Sequence, residues 1–401
     1  LSVLLALCLV LAAVPAAGIV VSADETFGDF TYGRMALSDE IEITGYNGSS
    51  AEITIPSKIG DEDVKAIGGN AFKNNTTITS VEIPSTVKTI KYNAFQGCEA
   101  LKSITVPDSV TAIGEYAFDG CSALKTVVIG SGLKKIGRLI FQNCISLEKV
   151  TLGENVTGIN DDSLDAGAFS GCTALSEIVW NDKIETIGDR AFSDCTALRS
   201  LSIPASVKTI GPWAFSGCTG LNNVNLGINL EKIDANAFNG CKGIKEITLP
   251  DSLKTLEYNA FKDCTSLRTV DLGNGLSAME NNVFDGCTAL SEVTFGANFA
   301  TIGERAFKDC VALTKINWGE NVSVIGESAF SGCKGLRALD IPASVKTIED
   351  YAFNGAEGIT EFTLSEGLTS VGVGAFLRCS RIQSVTIPNT VTKMGRSAFE
   401  G

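Results

Sequence analysis

Apolar and polar positions along this chain recur every 23 residues. Phenylalanine marks the period at Phe72, Phe95, Phe118 and Phe141, and again at Phe169, Phe192, Phe215, Phe238, Phe261, Phe284, Phe307, Phe330, Phe353, Phe376 and Phe399. Every step is 23 residues except the 28 from Phe141 to Phe169. The stretches IPASVKTIGPWAFSGCTGL from Ile203 and IPASVKTIEDYAFNGAEGI from Ile341 are two copies lying 138 residues, or 6 × 23, apart. Self-similarity at such a period predicts a repeat solenoid, in which each unit stacks on its neighbours because it cannot enclose its own apolar side chains.

The slots of one unit predict its elements. In LKSITVPDSV, Ile104 and Val106 alternate with polar residues, the period of a strand with one buried face, and Leu101 leads into it. Pro107 ends that strand, since it offers no N–H to a ladder, and Gly130, Gly153, Gly227, Gly273, Gly296 and Gly319 take the same corner in other units. Val110 and Ile113 restart the buried face and predict a second short extended segment. EYAFDGC then predicts a tight helical turn, with Ala117 allowing close approach and Phe118 filling the coil. Two positions after each Phe stands Gly, Asn or Asp in all units but that of Phe376, and these residues tolerate the left-handed backbone that a bend requires. Stacking at about 4.8 Å over 14 steps gives an array on the order of 65–70 Å long.

The unit LxxIxIPxxVxxIGxxAFxGC closely resembles the leucine-rich repeats of the BspA-like, or Treponema-type, bacterial surface proteins. The opening segment FTYGRMALSDEIEITGYNGSSAEITIPSKIGDEDVKAIGGNAF resembles that family's N-terminal start, and together they cover the chain after Ala23. The departures are the five-residue insertion DDSLD, Asn75 and Ala356 in the Cys slot, and Asn181 and Ser365 at the corner. The resemblance implies a leucine-rich-repeat solenoid with a curved parallel β-sheet, and an extracellular role in adhesion or host interaction. It implies no catalytic residues.

Composition narrows the function. With Lys+Arg at 32 against Asp+Glu at 46, the net charge of −14 repels phosphate backbones and leaves no electrostatic footprint for nucleic acid. Histidine is absent, which excludes a Ser-His-Asp triad, a Cys-His pair and any imidazole-bound zinc or haem. No nucleophile–base pair, metal cluster or phosphate loop rises above the repeat, so no catalytic, metal or cofactor-binding residue is assigned and an enzyme is not expected.

The first 21 residues, LSVLLALCLVLAAVPAAGIVV, carry no charge, and the small residues of VSA ending at Ala23 suit signal-peptidase cleavage. Residues 1–23 are therefore read as a secretory signal; the alternative, a transmembrane anchor, is interrupted by Pro15 and Gly18. The predicted domains are this signal, a capping segment with the first strands over 24–70, and a repeat array of about 15 units over 71–401 with an insertion near 160–167. The missing initiator Met and the halt at AFEG in mid-unit read as truncation at both ends.

Twelve of the 13 cysteines stand three positions after a Phe, from Cys98 to Cys379. Equivalent side chains stacked at about 4.8 Å all point one way, whereas a disulfide wants its Cβ atoms near 3.8 Å and facing each other. Buried free thiols are predicted. The insertion gathers Asp161, Asp162 and Asp165, read as a solvated bulge, with a calcium loop as the alternative despite spacing unlike an EF-hand.

Residues flanking the buried strand positions are predicted to point outward as a small, polar face: Ser200, Ser202, Asn223, Asn225, Glu246, Thr248, Thr269, Asp271, Glu292 and Thr294. Trp180 and Trp318 fall in a core slot, while Tyr116, Trp213 and Tyr351 precede the Ala-Phe pair and are candidate exposed aromatics. The expected function is a secreted or cell-surface scaffold that binds a protein ligand, host-matrix or bacterial, without nucleic acid or membrane insertion beyond the signal. The alternative is a structural spacer displaying a further C-terminal domain.

Overall fold

A computed structural model describes residues 24–35, 37–160 and 167–401. The predicted signal, and Asp161, Asp162 and Asp165, lie outside the described residues. The fold is a parallel β-solenoid whose coils build three columns.

The first column is the main sheet, formed by the strand that follows the recurring Leu slot. Glu52–Thr54, Ser80–Glu82, Ser103–Val106, Thr126–Ile129, Lys149–Thr151 and Glu177–Val179 lie side by side in that order. Ser200–Ser202 with Asn223–Asn225, then Glu246–Thr248 through Lys315–Asn317, and Ala338–Asp340 with Glu361–Thr363 carry the pattern onward. Register is one whole coil per step, as in Val127 opposite Ile104 and Val150 opposite Val127. A slip by one residue would turn every buried Val and Ile outward, so burial fixes this register.

The second column is made of two-residue strands such as Thr89–Ile90, Ala112–Ile113, Thr186–Ile187 and Thr209–Ile210, paired in parallel. At its N-terminal end it is extended by Ile41–Tyr46, by Phe30–Arg34 and by Glu25–Phe27, the last two joined as an antiparallel hairpin.

The third column is the AFxGC segment. It is a turn, and no helix occurs among the described residues, so the expected helical turn is corrected here. The reason is visible in the backbone: Phe95 N–H donates to the Ala117 carbonyl of the next coil at 2.7 Å, and Phe215 N–H to that of Ala237 at 2.8 Å. Those amides bond between coils, where a helix would need them within one. Apart from that of Phe169, each turn is bent twice through left-handed backbone. One bend falls two after Phe, as at Gly97, Asn143, Asp194 and even Arg378; the other falls two before Phe, as at Asn93, Trp213 and Asn259.

The phenyl rings form one continuous stack. Consecutive centroids lie 4.8 Å apart at Phe72–Phe95 and 5.5 Å at Phe192–Phe215, with planes 3° and 8° apart. The longer step from Phe141 to Phe169 keeps the same spacing, 5.3 Å. Phe95 to Phe353 are fully buried, and Trp180 and Trp318 pack edge-on against Phe192 and Phe330 as their slots predict. Beside the rings run the twelve cysteines Cys98 to Cys379, all free and buried. They do more than fill space: each thiol faces the carbonyl of the Phe one coil back, as Cys98 to Phe72 at 3.1 Å and Cys241 to Phe215 at 3.1 Å. Coils approach so closely at the corners that a Cβ on Gly296 would meet the Gly273 carbonyl oxygen at 1.7 Å.

Candidate functional site

The outward side of the main sheet is a ladder of small polar side chains. Alternation along each strand sends every second residue to solvent, and whole-coil register then aligns those residues into columns. Ser200 stands opposite Asn223 and Ser202 opposite Asn225. Glu246 and Thr248 stand opposite Thr269 and Asp271, which in turn face Glu292 and Thr294. The first eight of these residues are exposed, while Glu292 and Thr294 are half-buried.

Lateral bonds explain that difference. Glu292 Oε1 accepts from Lys315 Nζ and from Asn317 Nδ2, each at 2.7 Å, and Asn317 Nδ2 also donates to Thr294 Oγ1 at 3.0 Å. The hydrogen bond from Lys315, followed by that from Asn317, holds the Glu292 carboxyl below its ordinary range. Ser200, Ser202, Asn223 and Asn225 have no such cross-links among the described residues, so their donors and acceptors stay available to a ligand. Chemically the face offers hydroxyls, amides and scattered carboxylates on a rigid, repeating frame. Its polar groups suit hydrogen bonding with another protein's backbone or side chains more than stacking of sugar or base rings.

Tyr351 is 37% exposed, whereas Tyr116 and Trp213 are only half-buried. Trp213 is covered because the Arg190 guanidinium, one coil back in the same slot, lies 4.7 Å from its ring centroid. All three occupy left-handed backbone.

One region escaped sequence reasoning. At the N-terminal end, Phe27, Phe30, Tyr46 and Ile53, with Asp29 and Glu52, surround a cavity of about 330 Å³. The only prior signal was that the opening segment departs from the 23-residue pattern. Among the described residues, no group of His, Cys, Asp or Glu is placed to hold a metal ion, and no helix is long and apolar enough to cross a membrane.

The chain matches the family model described as BspA type leucine rich repeat region, over residues 46–165, 162–291, 219–337 and 277–401. A leucine-rich repeat protein from Bacteroides ovatus is 29% identical, with 93% of this chain and 99% of that one covered and a TM-score of 0.79. A leucine rich cell surface protein from Faecalibacterium prausnitzii is 25% identical, covering 90% and 94% of the two chains with a TM-score of 0.44. A leucine-rich repeat protein from Eubacterium ventriosum is 21% identical, covering 86% and 97%, with a TM-score of 0.48. No curated protein matches the chain.

Proposed function

The chain belongs to the BspA type leucine-rich-repeat family, and from that premise we propose that it is a protein-binding scaffold, secreted or held at the cell surface, that adheres to a host or neighbouring cell. The observation that carries this reading is the aligned, exposed row of Ser200, Ser202, Asn223, Asn225, Glu246, Thr248, Thr269 and Asp271 on a frame whose apolar columns are sealed inside. Extended solenoid surfaces bind by spreading many modest contacts over successive repeats. The uncharged leader of residues 1–21 supports export, and the absence of a basic stripe supports a protein partner over a nucleic acid.

Surface plasmon resonance against purified host-matrix proteins and bacterial surface proteins tests the reading. A genuine ligand is expected to lose at least about tenfold in affinity, or 1.4 kcal/mol, when Ser202→Arg and Asn225→Arg are combined. A folded array that binds none of the panel, or a ligand indifferent to that pair, would sink the proposal.

A further inference from the structure

The three columns of the solenoid do not begin at the same level. Before the first full coil, the second column already has a strand, Ile41–Tyr46, paired to Glu62–Ile67. The ring stack likewise has members there, since Tyr46 lies 6.1 Å from Phe72 and Phe30 lies 5.1 Å from Tyr46. Among the described residues the main sheet has none: Glu52–Thr54 is its edge strand there and pairs with Ser80–Glu82. Among the described residues one rung is therefore filled in two columns and vacant in the third, and the cavity of about 330 Å³ lies at that vacancy.

The open edge presents backbone. Ala51 C=O and Ile55 N–H bond toward the next coil, to Thr79 N–H at 2.7 Å and the Glu82 carbonyl at 3.0 Å. Backbone groups alternate along a strand, so those of Glu52 and Thr54 face the vacancy. The Glu52 carbonyl is taken by Ser50 Oγ at 2.7 Å, which leaves the Thr54 N–H and C=O and the Glu52 N–H without a backbone partner among the described residues. Phe27, 45% exposed, walls the cavity together with Phe30, Tyr46 and Ile53. Asp29 and Glu52 sit on its rim, and no Lys or Arg pairs with either among the described residues.

We propose that this vacant rung is a docking site for an extended peptide, added as a strand to the edge of Glu52–Thr54. A strand in register puts its middle residue opposite Ile53, against Phe30 and Tyr46, and that residue is apolar. Its neighbours point outward beside Glu52 and Asp29, and those are basic. The site thus selects a segment alternating lysine or arginine with a β-branched residue, with main-chain bonds giving affinity and the pocket giving choice. It lies at the end of the array, apart from Ser200 to Asp271, so either site can fail without the other.

Fluorescence anisotropy of the full chain with a fluorescein-labelled, end-blocked nonapeptide of alternating lysine and valine tests this. Saturable binding is expected. Thr54→Pro, which removes an edge donor, and Glu52→Lys should each weaken it by about tenfold or more, and Phe27→Ala, at an exposed position, should do so with the melting temperature unchanged. Amide exchange at Thr54 should slow on adding peptide. No saturation by about 1 mM peptide, equal binding of the version with glutamate for lysine, or indifference to all three substitutions would overturn the assignment. So would a Thr54 amide already slow without peptide, meaning that the chain itself fills the rung. Self-association lost in Thr54→Pro would overturn it too, by giving the rung to a second copy.

Discussion

The coil that ends at Phe238 and the coil that ends at Phe399 are written in the same slots, yet they are not equally dry. In the first, Leu221, Leu230, Ile233 and Phe238 are all at 0% exposure. In the second, Ile382, Val385, Val391 and Phe399 are half-buried, and Ile387 and Met394 are 45% and 43% exposed. The residue types match; the number of described neighbours does not. Burial in this fold is a property of adjacent coils, so stability is a sum of interfaces between rungs.

Alkali gives the broadest test of that contrast. Burial pushes the Cys218 thiol up to about 12, against about 8.5 in an unfolded chain. The folded state thus holds its proton where the unfolded state has lost it. The stabilisation is complete below the unfolded value and drains away as pH climbs through the window toward 12. Urea unfolding at pH 10.5 should show a midpoint well below that at pH 7.5. Hydrogen exchange should place the loss in the coils from Cys98 to Cys333, sparing the one that carries Ala356. A flat midpoint across that range would refute a sealed thiol column.

Next in size, Phe238→Ala should cost about 3–5 kcal/mol by opening a gap between two rings, while Phe399→Ala, ringed on one side only, should cost about half as much. Equal losses in urea titrations would break the comparison. Gly296→Ala forces a methyl against the Gly273 carbonyl and should cost about 1–3 kcal/mol. Gly240→Ala meets no atom within 4 Å and bears only its left-handed backbone at φ 70°, a penalty of about 1–2 kcal/mol. Cys218→Ala should lose about 1 kcal/mol with its bond to the Phe192 carbonyl. Ser202→Ala should stay within about 0.5 kcal/mol while altering any ligand bound there.

Much of this was legible in the sequence for one physical reason: repetition averages out local ambiguity. A single SITV is a weak strand signal, but the alternation recurs in coil after coil with Pro or Gly at a fixed corner, and the register follows. The αL bend after Phe was readable because Gly, Asn and Asp mark it. The matching bend before Phe was harder to read, because alongside Asn93 and Asn259 that slot also holds Tyr116, Leu139 and Trp213 at φ of 58°, 60° and 49°, residues that advertise no such backbone. The turn at AFxGC looked helical because its short-range spacing is that of one helical turn; every second amide, such as those of Phe95 and Gly97, is claimed by the next coil, which no local pattern reports. The thiol-to-carbonyl bonds were hidden likewise, since Cys98 and Phe72 are 26 positions apart. The candidate face was readable as a surface, and its cross-links at Glu292 were not. The vacant rung is a difference in level between columns, which only a folded chain displays.

The step from Phe141 to Phe169 contains five residues more than any other, yet its rings sit 5.3 Å apart and Ile159 still pairs with Ile187. Contour length and axial rise are decoupled within this step. Residues added within this step should leave the ring spacing unchanged, and the array becomes a ruler on which a foreign segment can be mounted at a known height.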